Sequence, residues 1–235
     1  GGCGTDTFVG DNATNTWNIT VADAGNATGE GSFTSIENLY GNASTDNNNF
    51  ADGSGLTGQI NGSNGTDSVN FAADLGAVSV TMGPSGFVNI ESFIGNDTDS
   101  TLIGNNVANS WLIDGVNDGC VTYLLGSTTF TNFTDLSGGS NSDIFTLSGG
   151  SISGQIDGVG GVNTLVGDST ANSWAITGAN SGTLSGVTGF SNIENLTGNL
   201  LSDNFVFSDP GSLSGIINGA SGADRVNYAA KTGTV

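Results

Sequence analysis

Short runs in which apolar and small polar residues alternate recur along the whole chain. They include TWNIT, AVSVTM, NSWLID, DIFTL, SWAIT and NFVFS, and each run is bounded by Gly, Asn, Asp or Ser. Alternation with a period of two, interrupted by turn-forming residues, predicts β-strands of about 4–6 residues. No long segment has apolar residues at the helical spacing of 3.6. The pattern therefore predicts an all-β fold.

The chain repeats itself over a long distance. Residues 158–235 match residues 1–78 at a constant offset of 157 without a gap, and about half of the positions are identical. We predict that residues 1–157 form one full repeat unit. Residues 158–235 then form the first half of a second unit that is continuous with the first.

A shorter module lies within this unit. It begins with N-x-W, passes through segments such as FTSIENLYGN and FSNIENLTGN, and ends in a Gly-rich step such as NGSNGTDSV. The module is visible three times, and its first copy carries an additional stretch at about residues 74–100. Strands separated by Gly or Asn corners at intervals of roughly 20 residues predict a β-solenoid. Gly and Asn supply the positive φ of tight corners, and stacked asparagines can hydrogen-bond between coils.

The ends of the predicted solenoid are sheet edges without the polar cap that protects a solenoid terminus. The chain also opens on GGCGTDTF, inside a pattern that recurs later. We therefore expect a section of a longer or processed chain. We also expect each end to be continued by more of the same chain or by another copy stacked head to tail.

Composition narrows the functional classes. The 235 residues include 40 Gly and 22 Asp and Glu but only two basic residues, Arg225 and Lys231, for a formal net charge of −20. Nucleic acid is not a predicted partner, because phosphate neutralisation needs clustered Lys and Arg. No apolar stretch approaches the length of about 18 residues that spans a bilayer, so no membrane span is predicted. Such an acidic surface repels itself unless salt or calcium screens it.

The segment GGCGTDTFV at the start of the chain fits the calcium nonapeptide G-G-x-G-x-D-x-U-x, in which turn carbonyls and a carboxylate supply hard oxygen ligands. Degenerate relatives occur four more times. Because no two good copies are adjacent, these segments are interpreted either as calcium sites or as structural turns. Calcium is the only cofactor predicted. The candidate metal ligands are Asp6, Asp67, Asp143, Asp203 and Asp224.

Two residue types recur once per module. Trp17, Trp111 and Trp174 are interpreted as core anchors that fix the register of the repeats, with a platform for stacking sugars as the alternative. A glutamate recurs in the F-x-x-I-E segments. Since an identical residue in every repeat indicates a repeated structural role, we do not interpret it as a catalytic acid or base.

Other chemistry is sparse. Cys3 and Cys120 are too few for a disulfide framework. The chain has no histidine, no G-x-S-x-G and no phosphate-binding loop, and we predict that it is not an enzyme. Nine N-x-(S/T) sequons are candidate glycosylation sites if the chain is secreted through a glycosylating route. Their asparagines are Asn12, Asn18, Asn26, Asn42, Asn61, Asn64, Asn96, Asn132 and Asn195.

The segments FSNIENLTGN, DNFVF, GSLSGIINGASGADRVNY and GGCGTDTFVGD together resemble the repeat regions of giant bacterial surface proteins, the filamentous-haemagglutinin-like and RTX-like adhesins. The resemblance covers essentially the whole chain. It implies secretion, an extracellular or cell-surface location, a right-handed parallel β-helix, and a role as stalk, adhesin or matrix fibre. The chain departs from the RTX pattern because it lacks tandem nonapeptides.

Two functions are predicted. The first is an extracellular structural protein whose solenoid forms a stalk, fibre or filament by end-to-end continuation, with the protein itself as its partner. The alternative is a carbohydrate-binding or carbohydrate-cleaving β-helix with surface glycans as partners, suggested by the tryptophan series and the acidic surface.

Overall fold

The structure, a computed structural model, describes residues 1–84, 86–124 and 126–232. Within these ranges every regular element is a β-strand, which confirms the predicted all-β fold. None of the described residues forms a helix that could cross a membrane.

The first thirteen strands in chain order already show the short length that Gly, Asn and Asp corners impose. They are β1 (Thr7–Val9), β2 (Thr16–Val21), β3 (Ala24–Ala27), β4 (Gly31–Thr34), β5 (Asn38–Asn42), β6 (Asn47–Ala51), β7 (Ile60–Ser63), β8 (Ser68–Ala73), β9 (Val78–Thr81), β10 (Phe87–Val88), β11 (Ser92–Ile94), β12 (Ser100–Ile103) and β13 (Ser110–Gly115).

The remaining described strands follow the same pattern. They are β14 (Asp118–Tyr123), β15 (Gly126–Thr131), β16 (Asp135–Ser137), β17 (Ile144–Leu147), β18 (Ile152–Asp157), β19 (Thr164–Val166), β20 (Ser173–Gly178), β21 (Ser181–Leu184), β22 (Val187–Ser191), β23 (Asn195–Asn199), β24 (Asn204–Ser208), β25 (Ile217–Ala220) and β26 (Arg225–Ala230).

The strands form two compact units. The first comprises Gly1–Leu102 and Thr128–Phe133, and the second comprises the described residues of Ile103–Ser127 and those from Thr134 onward. Within each unit many neighbouring strands pair in parallel after a return of 20 or 21 residues. Examples are β6 with β8 in the first unit and β24 with β26 in the second. These returns, which we call coils, have the predicted length of roughly 20 residues.

Longer returns contain antiparallel strands that were not predicted. In the first unit β2, β3 and β4 form a three-stranded antiparallel meander. In the second unit β20, β21 and β22 form the same meander, and β22 then pairs in parallel with β18. The meander lengthens the return to 31 residues. The sheets therefore contain both parallel and antiparallel pairs of strands.

Aromatic stacking between coils forms the centre of the core. Trp111 stacks on Phe145 with ring centroids 5.5 Å apart, and Trp174 stacks on Phe205 at 5.3 Å. Each pair consists of register partners on adjacent parallel strands. These two tryptophans and Trp17 are completely buried. The three indoles therefore act in the interior and offer no surface on which a sugar could stack.

The corners use the left-handed backbone region. Of the twelve non-glycine residues with positive φ in the described ranges, eight are Asn or Asp, whose short polar side chains tolerate this conformation. Val159 is different: it has a φ of 62° although its side chain is β-branched, and it is 50% exposed. Backbone strain without compensating burial is therefore expected at this corner.

Replacing Val159 with Asn is expected to raise the free energy of unfolding by about 1 kcal/mol, because Asn tolerates the left-handed region that a β-branched residue disfavours. Val162→Asn is the matched control, since Val162 is 57% exposed and lies outside the positive-φ region. That control is expected to change stability by less than about 0.5 kcal/mol. Urea denaturation measures both variants, and equal effects would contradict strain at Val159.

Candidate functional site

The five aspartates predicted as metal ligands occupy one recurring position, the residue immediately before a strand. Asp6 precedes β1, Asp67 precedes β8, Asp143 precedes β17, Asp203 precedes β24 and Asp224 precedes β26. Asp67, Asp143 and Asp203 are buried, Asp6 is half-buried and Asp224 is exposed. Each aspartate lies at a corner of the chain.

At this corner the side chain binds the backbone of the neighbouring coil. The Asp46 N–H donates to Asp67 Oδ1 at 2.7 Å, and the Asp67 N–H donates to Glu91 Oε2 at 2.7 Å. We call such a chain of backbone N–H to side-chain oxygen bonds a corner ladder. The same bond, at 2.7–2.9 Å, joins Asn15 to Asp46, Asp6 to Glu37, Asn109 to Asp143, Asp143 to Asn163, Asn163 to Glu194, Asn172 to Asp203, and Asp203 to Asp224.

Three ladders begin at the asparagine of an N-x-W tripeptide. The Nδ2 group of this asparagine also donates to carbonyl oxygens of the residues just before it. Asn109 Nδ2 donates to the carbonyl oxygens of Asn105 and Val107 at 3.0 and 2.9 Å. Asn15 and Asn172 bind the corresponding two carbonyls of their corners. The asparagine of N-x-W therefore starts a ladder and closes its own turn.

Ladders end at the glutamate of an F-x-x-I-E segment. Glu37, Glu91 and Glu194 each accept a corner N–H at 2.7 Å. The strand that follows the glutamate then covers the strand that follows the corner residue, as β5 covers β1, β11 covers β8 and β23 covers β19. The recurring glutamates thus have the repeated structural role that the sequence indicated.

A glycine lies five residues before each corner residue and makes room for it. At Gly41 an added Cβ would collide with the Asp46 carboxylate and with the backbone oxygen of Gly62. The spacing G-x4-(D/N/S) is present in the sequence and would have identified these corners. The described pairs are Gly1–Asp6, Gly10–Asn15, Gly41–Asp46, Gly62–Asp67, Gly95–Ser100, Gly104–Asn109, Gly138–Asp143, Gly158–Asn163, Gly167–Asn172, Gly198–Asp203 and Gly219–Asp224.

A calcium site built from nonapeptides needs oxygen ligands from adjacent turns to converge on one ion. Among the described residues, no group of three or more His, Cys, Asp or Glu side chains is placed to hold a metal. Asp67, Asp143, Asp203 and Asp224 each use Oδ1 to accept a backbone N–H. These contacts fit the alternative of structural turns, and calcium binding by the chain stays a prediction.

Burial changes the acidity of the interior carboxyl groups. Desolvation raises the pKa of Asp67 from 3.8 to about 6, and the nearby Asp46 and Glu91 carboxylates add to the rise. Desolvation also raises the pKa values of Asp46 and Asp143. The Oδ2 atoms of these three aspartates are buried and have no hydrogen-bond partner among the described residues.

The asparagines of the ladders have an Nδ2 group at the position that Oδ2 occupies in the aspartates. Asn163 Nδ2 donates to the carbonyl oxygens of Gly160 and Asn192 at 3.1 and 2.9 Å. An ionised aspartate has no proton to give to such carbonyls, whereas a protonated one can donate as asparagine does. Protonation of Asp46, Asp67 and Asp143 therefore favours the folded state.

Several sequon asparagines form side-chain hydrogen bonds to residues on other strands or coils. Asn18 bonds to Asn26 at 3.0 Å and to Asn49 at 3.2 Å, and Asn49 bonds to Asn70 at 3.3 Å, which forms the expected asparagine stack. Asn12, Asn26 and Asn64 are exposed, whereas Asn18, Asn42, Asn61, Asn96, Asn132 and Asn195 are half-buried. Their glycosylation stays a prediction. Cys3 and Cys120 are free thiols.

Two strands of the second unit have an unpaired side. β25 pairs with β23 and β26 with β24, and no other described strand joins them. We call this the β25/β26 edge. It borders a groove of about 470 Å³ whose apolar lining includes Phe207, Leu213, Ile217, Val226 and Tyr228.

Comparison of the chain with protein-family models, with curated proteins and with solved structures finds no match. The functional interpretation therefore rests on the corner ladders and on the β25/β26 edge.

Replacing Gly41 with Ala is expected to lower the free energy of unfolding by about 2 kcal/mol, because the new Cβ meets a buried carboxylate and backbone rather than a flexible side chain. Gly55→Ala is the matched control: its added Cβ meets no atom within 4 Å, so it is expected to be neutral or slightly stabilising. Guanidinium denaturation compares the two variants. Equal small effects would contradict the tight fit of glycine at the ladder.

The stability of the chain is expected to depend on pH through Asp67. Because burial raises its pKa above the unfolded value of 3.8 to about 6, the folded state binds more protons between these values, and stability falls as pH rises through this window. Asp67→Asn is expected to raise the melting temperature at pH 7.5 and to change it less at pH 4.5. Asp99→Asn, at an exposed position, is the control for net charge. A melting temperature of Asp67→Asn that is lowered equally at both pH values would contradict a pH-dependent role of Asp67.

Proposed function

We propose that this chain is an extracellular structural repeat protein that forms a stalk, fibre or filament by end-to-end continuation of its coils. In this proposal the coils follow a right-handed parallel β-helix into which the antiparallel meanders are inserted. The single observation that carries the proposal is the β25/β26 edge, where two strands and an apolar groove are left without a covering coil among the described residues.

Unpaired strand edges favour the addition of further strands, and most monomeric proteins block them with charges, proline or a covering loop. β26 begins with the exposed Arg225, but it also presents Val226 and Tyr228, which are 45% and 39% exposed. Apolar groups along an open edge are typical of a surface that another chain segment covers.

The first unit also has strands with one unpaired side. Among the described strands, β1 pairs only with β5 and β4 only with β3. Val9 on β1 is 54% exposed. Each unit thus offers an edge that can be extended. The net charge of −20 opposes side-by-side association, which favours growth at these edges once salt or calcium screens the charge.

The carbohydrate alternative depended largely on the tryptophan series. All three indoles are completely buried, so no observation favours this second function. The extracellular or cell-surface location, and adhesion to a target, are proposed from the resemblance to bacterial surface proteins.

The purified chain at about 0.15 M salt, where the Debye length is roughly 8 Å, is expected to form elongated particles that grow with concentration. Val226→Glu is expected to reduce this assembly at least tenfold, because it places a charge on the edge strand. Leu75→Glu is the matched control, since Leu75 is 82% exposed in the turn after β8. Light scattering and negative-stain microscopy provide the readout. Compact particles at all concentrations, or equal assembly of the two variants, would reject the proposal.

A further inference from the structure

We propose that the β25/β26 edge is an acceptor site for an acidic F-x-x-I-E segment, whose glutamate accepts the Asp224 N–H and whose two short strands cover β25 and β26. The inference rests on the proposed function, because it names the segment that continues the coils at this edge.

The edge has a structural equivalent in the first unit. β7 and β8 correspond to β25 and β26 at the offset of 157, and their pairings with the preceding strands have the same register. The aromatic pair beneath the surface is also the same: Phe50 stacks on Phe71 at 4.5 Å and 21°, and Phe207 stacks on Tyr228 at 4.6 Å and 23°. The acceptor surface therefore has its packed geometry before anything covers it.

In the first unit this surface is covered by the segment FVNIESFIGN. Phe87 of β10 pairs with Ile60, and Phe93 of β11 pairs with Val69. Ile60 and Val69 are then 2% and 0% exposed. The Phe87 ring also packs edge-on against Phe71 at 6.3 Å.

At the β25/β26 edge the same positions are open. Ile217 corresponds to Ile60 and is half-buried, and Val226 corresponds to Val69 and is 45% exposed. The groove bounded by these residues and Tyr228 lies where the equivalent surface of the first unit receives the Phe87 ring. Apolar burial by an incoming segment therefore has a defined place at this edge.

The backbone of the edge is also incomplete. In the first unit the Asp67 N–H donates to Glu91 Oε2, and the Asp67 carbonyl accepts the N–H groups of Glu91 and Ser92 at 3.0 Å. Asp224 is the equivalent of Asp67, and its N–H donates to no described residue. Two ladders that start at N-x-W end in a glutamate, but the ladder of Asn172, Asp203 and Asp224 does not.

Charge supports an acidic occupant. Arg225 and Lys231 are the only basic residues of the chain, and both lie at this edge: Arg225 begins β26 and Lys231 follows it and lines the groove. Their equivalents in the first unit are Ser68 and Asp74. The Lys231 ammonium donates to the Gly211 carbonyl at 2.7 Å and lies 4.0 Å from Asp209 Oδ1. A segment that carries the glutamate of F-x-x-I-E together with carboxylates such as Asp97 and Asp99 would therefore be attracted mainly to the exposed Arg225.

The test adds the natural covering segment in register. Val235 corresponds to Val78 in the repeat. A copy of residues 79–102 fused after Val235 therefore places the FVNIESFI segment (residues 87–94) over β25 and β26, as it lies over β7 and β8 in the first unit. The extended chain is expected to melt several degrees higher and to slow hydrogen exchange of the Asp224 amide at least tenfold. Glu91→Ala within the added segment is expected to lose the protection of Asp224, whereas Thr98→Ala, at an exposed position, is the matched control and is expected to keep it.

A fluorescent peptide of residues 76–100 tests the same recognition between molecules. It is expected to bind the chain, to bind at least tenfold more weakly with Glu91→Ala, and to inhibit filament growth. If filaments form but neither peptide nor extension protects Asp224, another occupant covers the edge, such as the Asp6 corner of a second copy, and the inference is overturned while the proposed function stands. If the extension protects Asp224 but no filaments form, the inference stands and the proposed function fails.

Discussion

The fold depends on satisfying the backbone N–H groups at the corners between strands. Hydrogen bonds between adjacent strands pair the backbone N–H groups of the strand residues. A buried N–H group at a corner needs a different acceptor, and leaving it unpaired costs about as much as a lost hydrogen bond. Here the acceptor is the side chain of the next corner, as in the bond from Asp46 to Asp67. Charge-assisted bonds of this kind are short and strong. Because the acceptor must lie directly beside the donor, the ladder fixes the register of the coils as well as their spacing.

Glycine abundance follows from the same requirement. The acceptor side chain points into the corner, where it occupies the space that a Cβ would need five residues earlier, as Asp143 does at Gly138. Aspartate and asparagine both supply the Oδ1 acceptor, but they differ in the other side-chain atom. The Nδ2 group of asparagine can donate two hydrogen bonds to nearby carbonyls, whereas Oδ2 of aspartate donates none unless it is protonated. At Asp46, Asp67 and Asp143 the ladder therefore uses a carboxylate acceptor at an electrostatic cost that grows as pH rises.

The strands, the coil length of roughly 20 residues and the interior position of the tryptophans could be predicted, because alternation and repetition are local properties of the sequence. The meanders could not, since strands such as β3 (AGNA) and β4 (GSFT) lack an alternating apolar pattern. Five of the six ladder aspartates were named from the sequence as possible calcium ligands, because a glycine turn followed by an aspartate suits either role, whereas Asp46 was missed. Which coil lies beside Asp67 depends on the tertiary register, so the partnership with Glu91 could not be deduced from spacing alone.

The corner ladders have a direction. Each corner N–H donates to a residue later in the chain, never to an earlier one, in all nine described ladder bonds. In the second unit the ladder of Asn172, Asp203 and Asp224 therefore ends in a donor, the Asp224 N–H. In the first unit the Asp6 carboxylate receives no N–H from another corner among the described residues. Under the inference above, the glutamate of an F-x-x-I-E segment is the acceptor that completes this ladder of the second unit. An unused donor is met by an acceptor and not by a second copy of the same donor, so the polarity of the ladder favours continuation by a following segment over an arrangement that joins two like edges.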